Sequence, residues 1–173
     1  GLIPFRDKRK KTMTDSFDRT VDYVRIAITD RCNLRCFYCM PAAGIPYEPK
    51  EHLLSYEEIT RLLRVLAQLG FRKVRFTGGE PFLRKDFMKL LENTVSLEAY
   101  SSINITSNGT LLKKHIPRLR ELGITRINLS IDSLDRERFR QITRRDDFEK
   151  VMDTFHQLVD HGFRVKLNSV IMH

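Results

Sequence analysis

The chain has 173 residues, 41% of them hydrophobic, with 31 Lys and Arg against 22 Asp and Glu and a net charge of +9. That apolar content can build one buried core, and the length favours one domain. No apolar run approaches the ~20 residues of a membrane helix, and residues 1–12 lack the apolar stretch of a secretory leader. A cytoplasmic location is therefore expected, in a reducing compartment that keeps thiols free.

In chain order, residues 1–12 carry Arg6, Lys8, Arg9, Lys10 and Lys11 against Asp7. Residues 1–20 are read as a basic, flexible tail, and residues 21–173 as the folded body. The body has no basic stripe interleaved with aromatics, so neither nucleic acid nor a membrane is expected as a partner. A phosphorylated small molecule explains its remaining positive charge as well.

Tyr23 to Thr29 alternates apolar and polar residues and predicts a first strand. Ser55 and Glu58 form a capping box, and Ile59, Leu62, Leu63, Leu66 and Leu69 mark the face of a helix that stops at Gly70. The unit then recurs. Lys73–Thr77 is a strand before a helix over 85–93, and Ile103–Thr106 is a strand before a helix ending at Gly123. Arg126–Ile131 precedes helical segments around Phe139 and, behind an Asp146–Glu149 capping box, over 148–161. Phe163–Met172 is the fifth strand.

Strands alternating with helices predict an α/β fold: parallel strands in a partial (β/α) TIM-type barrel of about four and a half βα units. An eight-unit barrel takes ~250 residues, so the rest is expected in a longer parent or another chain. The unpaired edge of the fifth strand leaves a homodimer as one way to cover it.

The loops after the strands collect the polar candidates. Cys32, Cys36 and Cys39, the three cysteines of the chain, follow the first strand in CxxxCxxC spacing. Three thiolates are one short of the four that close a structural zinc site or an ordinary four-iron cluster, so a metal held here keeps an open position. Zinc completed by a histidine from elsewhere stays open as an alternative. A disulfide framework would leave one cysteine over. Gly78-Gly79-Glu80-Pro81 follows the second strand, Ser107-Asn108-Gly109 the third and Asp132-Ser133 the fourth. Asp132 reads as a cap or loop residue, Asn108-Gly109 as a turn, and Met40 as a shield beside the metal.

The cysteine motif with Tyr38 before its last cysteine, followed by Thr77-Gly78-Gly79-Glu80-Pro81 after the second strand, resembles the radical S-adenosylmethionine (SAM) superfamily. The resemblance implies a [4Fe-4S] cluster on Cys32, Cys36 and Cys39 whose open iron chelates SAM, and a 5′-deoxyadenosyl radical released by reductive cleavage. Gly78 and Gly79 would let backbone approach the methionine part of SAM, and Glu80 would pair with its ammonium.

From Asp15 to Met172 the chain is more closely similar to the GTP 3′,8-cyclase family of molybdenum-cofactor biosynthesis. The runs that carry the likeness are 24–36, 38–41, 75–81, 106–109, 128–133 and 165–168. This likeness implies SAM contacts at Tyr38, Gly79 and Ser130, and GTP contacts at Arg25, Arg75, Thr106 and Lys166. It also implies an electron donor and a downstream pterin-precursor synthase as partners. The family's second cluster and C-terminal Gly-Gly tail have no counterpart in these 173 residues, so GTP conversion is expected of the longer parent. The rivals are a peptide-modifying radical SAM enzyme with auxiliary clusters and a zinc-binding nucleic-acid module.

Overall fold

The computed structural model describes residues 13–171. Its centre is a five-stranded parallel sheet in the order β1-β2-β3-β4-β5, formed by Tyr23–Ala27, Lys73–Thr77, Ser102–Ser107, Arg126–Ser130 and Arg164–Asn168. The crossovers are α1 (Tyr56–Gln68), α2 (Phe87–Ser96), α3 (Ile116–Glu121) and the pair α4 (Arg136–Thr143) and α5 (Phe148–Asp160). Sequential order with every pairing parallel is the arrangement of a partial (β/α) barrel. The outer edges of β1 and β5 pair with no strand among the described residues.

One pleat face of the strands packs on the helices. Ile26, Val74, Phe76, Ile105 and Ile127 join Ile59 and Leu63 of α1 and Leu90 and Leu91 of α2 in the main core. The other face lines the lumen, because side chains alternate along a strand. Register sets Arg25 opposite Arg75, Thr106 opposite Asn128 and Asn128 opposite Lys166. These residues fall in two neighbouring polar rows, Arg25 and Arg75 level with Asn104 in one, and Thr106, Asn128 and Lys166 two residues nearer the loops in the other.

Several boundaries differ from those expected. β1 ends at Ala27, because Thr29 O accepts from Gly79 N rather than continuing the ladder. β5 ends at Asn168. Beyond it, Ser169 Oγ donates to Ile131 O and Val170 N to the Asp132 carboxylate, while Met172 lies outside the described residues. α2 starts two residues late, since Asp86 sits at φ +62. The capping box of α1 forms as expected, but its buried face is Ile59, Thr60, Leu63 and Ala67, with Leu62 and Leu69 exposed. Asp146 does not cap α5. Its carboxylate pairs with Arg136, and the neighbouring N-cap, Asp147, makes no side-chain cap. Of the expected tail, residues 13–20 form a closed turn, with Thr14 bridged to Thr20 and Asp15 accepting from Phe17 N and Arg19 N. Residues 1–12 lie outside the described residues.

Candidate metal centre and barrel lumen

The loop between β1 and α1 is held from below by the end of α4. Its Leu34 is buried against Leu129, Ile131, Phe139 and Val151. Arg35 N donates to Thr143 O at 2.9 Å and Phe37 N to Ile142 O at 3.0 Å, using carbonyls that a helix C-terminus leaves free. Arg144 ends α4 in the left-handed region at φ +54 and sends its guanidinium back to Met40 O at 3.0 Å. Arg145 Nε donates to Asn33 O at 3.3 Å, and Arg35 Nη1 to Cys32 O at 3.0 Å and Tyr47 Oη at 2.8 Å. The loop's carbonyls thus face these guanidinium groups. Cys32, Cys36 and Cys39 line a cavity of about 650 Å³.

All three thiols are free. Burial pushes Cys36 up to about 11 and raises Cys32 and Cys39 as well, so the protein alone keeps them protonated. A cationic metal is what would convert them to thiolates. Among the described residues, no three His, Cys, Asp or Glu side chains converge on a point that one ion could fill. A tetrahedral zinc site requires that convergence. A four-iron cluster instead takes one thiolate per iron, and three free thiols bordering one open cavity fit it.

The turn after β2 packs directly under this loop. A Cβ on Gly78, at φ +146, would lie 2.2 Å from Thr29 O, and one on Gly79 would lie 2.2 Å from Arg31 O. The space that excludes side chains here is filled by the cysteine loop's own backbone, a reason for these glycines that the sequence alone did not supply. Gly79 N and Glu80 N donate to Thr29 O and Arg31 O, both at 2.7 Å.

Glu80 corrects an expectation. It is fully buried and does not border the cavity that the cysteines line, and its carboxylate is bonded within the chain. Oε1 accepts from Phe82 N and Ser107 Oγ, and Oε2 from Asn108 N at 2.7 Å. Burial pushes its carboxyl up to about 7, against the pull of these donors. The residue joins the turn after β2 to the turn after β3.

The cavity brings together Tyr38, Gly78, Gly79, Thr106 and Ser130 with the three cysteines. Tyr38 Oη donates to Asp132 Oδ2 at 2.6 Å, which burial reinforces by raising the phenol further above its ordinary range. Arg25, Arg75 and Lys166 do not border this cavity. Ala27 and Thr77, which do, lie two residues beyond Arg25 and Arg75 on the same pleat face, so these two arginines sit deeper in the lumen, while Lys166 lies level with Thr106 through Asn128. None of the ion pairs among the described residues involves them. Arg75 Nε is buried without a partner, as is Nδ2 of Asn128 between Thr106 and Lys166. Outward strand arginines would meet helix carboxylates; these do not. Asn128, Asn108, Arg144 and Arg145 were missed as site residues. Only the alternation of β4 could have pointed to Asn128.

Known proteins now bear on this geometry. The profile of the Radical SAM superfamily matches residues 26–173. The chain belongs to the radical SAM superfamily. Its curated relatives include "Molybdenum cofactor biosynthesis protein moc-5" of Caenorhabditis elegans, 46% identical over 158 residues, which are 91% of this chain and 26% of that protein. A "GTP 3',8-cyclase" of Listeria welshimeri is 43% identical over 161 residues, 92% of this chain and 48% of that protein. The radical SAM chain thus spans about a quarter to a half of the relatives it matches. Among solved structures, Streptococcus suis SuiB bound to S-adenosylmethionine superposes with a TM-score of 0.71 at 21% identity, covering 88% of this chain and 34% of that one. At that identity the likeness establishes the shared fold.

Proposed function

We propose that the chain is the cluster-bearing part of a GTP 3′,8-cyclase of molybdenum-cofactor biosynthesis, with SAM as co-substrate and GTP as substrate. The observation that carries this reading is a set of lumen cations that make no ion pair among the described residues: Arg25 and Arg75 side by side one pleat below a cavity bordered by three cysteines, and Lys166 level with Thr106 of that cavity. A superfamily member acting on a neutral peptide has no need of them. Relatives bearing the cyclase name at over 40% identity support the same substrate.

Cys32, Cys36 and Cys39 would each hold one iron of a [4Fe-4S] cluster, with Tyr38, Gly78, Gly79 and Ser130 bordering the space beside the open iron where SAM belongs. When bound, cluster and SAM supply the 5′-deoxyadenosyl radical that takes hydrogen from the ribose of GTP. The chain's own part is binding, orientation and the exclusion of water. Arg25, Arg75 and Lys166 bind the triphosphate by charge-assisted hydrogen bonds, Arg as a fork and Lys as a point charge. Thr106, on the same face, fixes its orientation. Leu34, Ile131 and Phe139 form an apolar cavity wall that keeps water from the reacting groups. No side chain of this part is needed as a general acid or base.

The whole protein would add a second cluster, an electron donor would reduce the first, and the product would pass to a pterin-precursor synthase. A cytoplasmic location is part of this reading, since a reducing compartment suits three free thiols. No helix among the described residues is long and apolar enough to cross a membrane.

Equilibrium dialysis of the anaerobically reconstituted protein tests the substrate. GTP is expected to bind, guanosine far more weakly, and GTP binding to weaken as salt rises. Equal binding of the two would remove GTP as the substrate.

A further inference from the structure

Asn108 follows β3 and lies under the cysteine loop, 8% exposed. Its amide nitrogen is 3.7 Å from Cys32 Sγ and 3.0 Å from Asn33 Oδ1. Which end of the amide faces the sulfur is settled by the network. Thr110 N, which can only donate, lies 3.0 Å from the other amide atom, so that atom is the oxygen. Thr110 Oγ1 then donates to Asn108 Oδ1 at 2.7 Å and accepts from Asn33 Nδ2 at 2.8 Å. A flipped amide would set oxygen against oxygen at Asn33 and at Thr110 would face N–H with N–H. The remaining proton of Asn108 Nδ2 points at the cysteine sulfur.

The backbone of Asn108 is equally fixed. Its N–H donates to buried Glu80 at 2.7 Å, Ser107 Oγ donates to the same carboxylate at 2.9 Å, and Gly109 N donates to Ser107 Oγ. Gly109 sits at φ +81, with Leu129 Cδ1 only 2.7 Å from where a Cβ would stand. A side-chain amide held at both ends and aimed at one sulfur of three is a built donor.

We propose that Asn108 is a positioning residue of the metal centre: its amide donates to the Cys32 sulfur and raises the reduction potential of the cluster that sulfur holds. The proposal rests on the cluster assignment given above. Hydrogen bonds to the sulfurs are among the determinants of iron–sulfur potentials, and partners of the ligands tune a metal site nearly as much as the ligands do. The physical reason is charge. Reduction adds an electron to a centre already carrying three thiolates, and a donor stabilises the more negative state more strongly. Glu80 has a second role in this arrangement, as the residue that holds Asn108 in place.

The test is an EPR-monitored redox titration of the reconstituted protein, with iron and sulfide counted in parallel, for the unmodified chain, Asn108→Ala and Asn108→Asp. At the poise that half-reduces the unmodified cluster, Asn108→Ala is expected to lower the ratio of reduced to oxidised cluster about threefold to tenfold, the worth of one hydrogen bond. Asn108→Asp should lower it further, since a carboxylate replaces the donor. Loaded variants with an unchanged midpoint overturn the proposal, because a merely structural role would alter loading and not potential. Should either variant fail to load, the unmodified protein labelled with ¹⁵N-asparagine decides. Electron–nuclear double resonance of its reduced cluster should show coupling to a side-chain amide nitrogen, and absence of that coupling overturns the proposal. An unmodified protein that takes up no iron would instead sink the cluster assignment itself.

Discussion

At the rim, the carboxylate of Glu80, the amide of Asn108 and the carbonyls of Cys32, Asn33 and Met40 all meet partners within the chain, with Asp30 Oδ1 the buried exception. In the lumen one pleat below, Arg75 Nε and Asn128 Nδ2 are buried with none, and Arg25 stands beside Arg75 in register. Both regions are polar, and they differ mainly in who completes them. A buried donor without a partner carries a penalty of about 1–3 kcal/mol, and cross-strand like charges repel, so on the reading proposed above an anion from outside would complete the lumen. The rim is arranged to hold its shape before anything binds. Changes at the rim should therefore act on stability and metal loading, and changes in the lumen on binding.

The largest effect is expected at the glycines. Gly79→Ala sets a Cβ against the Arg31 carbonyl, and neither backbone can yield without moving the cysteine loop. A loss of about 2–4 kcal/mol in urea denaturation is expected, together with failure to retain iron. A variant as stable as the parent would show that the two turns are not packed as described.

Glu80→Gln comes next. Its oxygens face two backbone N–H groups on opposite sides, Phe82 N and Asn108 N, so an amide must set its NH₂ against one of them. The isosteric change should lower stability by about 1–3 kcal/mol. The carboxyl of Glu80 is raised from 4.5 to about 7 in the fold, so between these values the folded state holds more protons than the unfolded. Its contribution is then fully present below pH 4.5 and is lost as pH rises through 7. The stability difference between parent and Glu80→Gln, followed by urea titration from pH 5 to 8, should shrink with rising pH. A difference that stays constant over this range would mean that Glu80 is ionised throughout.

In the lumen the opposite outcome is expected. Arg75→Ala should weaken GTP binding about tenfold to a hundredfold, the range for a hydrogen bond to a charged group, while leaving thermal stability unchanged or slightly raised as repulsion with Arg25 is relieved. Dialysis and a melting curve on the same sample check both. A destabilised Arg75→Ala with unaltered binding would reverse the contrast between the regions.

The smallest effect lies outside both. Asp135 Oδ1 accepts from Arg138 N at 2.7 Å and caps α4, so Asp135→Ala should cost about 1 kcal/mol in chemical denaturation without changing iron content. Lost iron would mean that α4 positions the cysteine loop more tightly than its cap suggests.

The order of βα units and the placement of cysteines and glycines after the strands were legible, because period and turn chemistry are local. The polar lumen was half legible. Arg25 and Arg75 became candidates through the family likeness, but Asn128 became a site residue only once register set it between Thr106 and Lys166. What the sequence hid depends on long-range packing. Glu80 reads as a ligand-facing carboxylate until the turn after β3 folds over it, and nothing local marks Arg144, which a left-handed turn directs at the cysteine loop. Asp146 reads as a cap because Asp-x-x-Glu is a local signal, yet Arg136 claims its carboxylate. Leu62 and Leu69 fit a helical face by period, although only a narrower strip of α1 meets the sheet.

The measurement that tests the central claim most directly is EPR of the anaerobically reconstituted, reduced protein with and without SAM, alongside iron and sulfide analysis. About four irons per chain and a spectrum altered by SAM are the result this account predicts. A single bound zinc, or a cluster whose spectrum is indifferent to SAM, would contradict it.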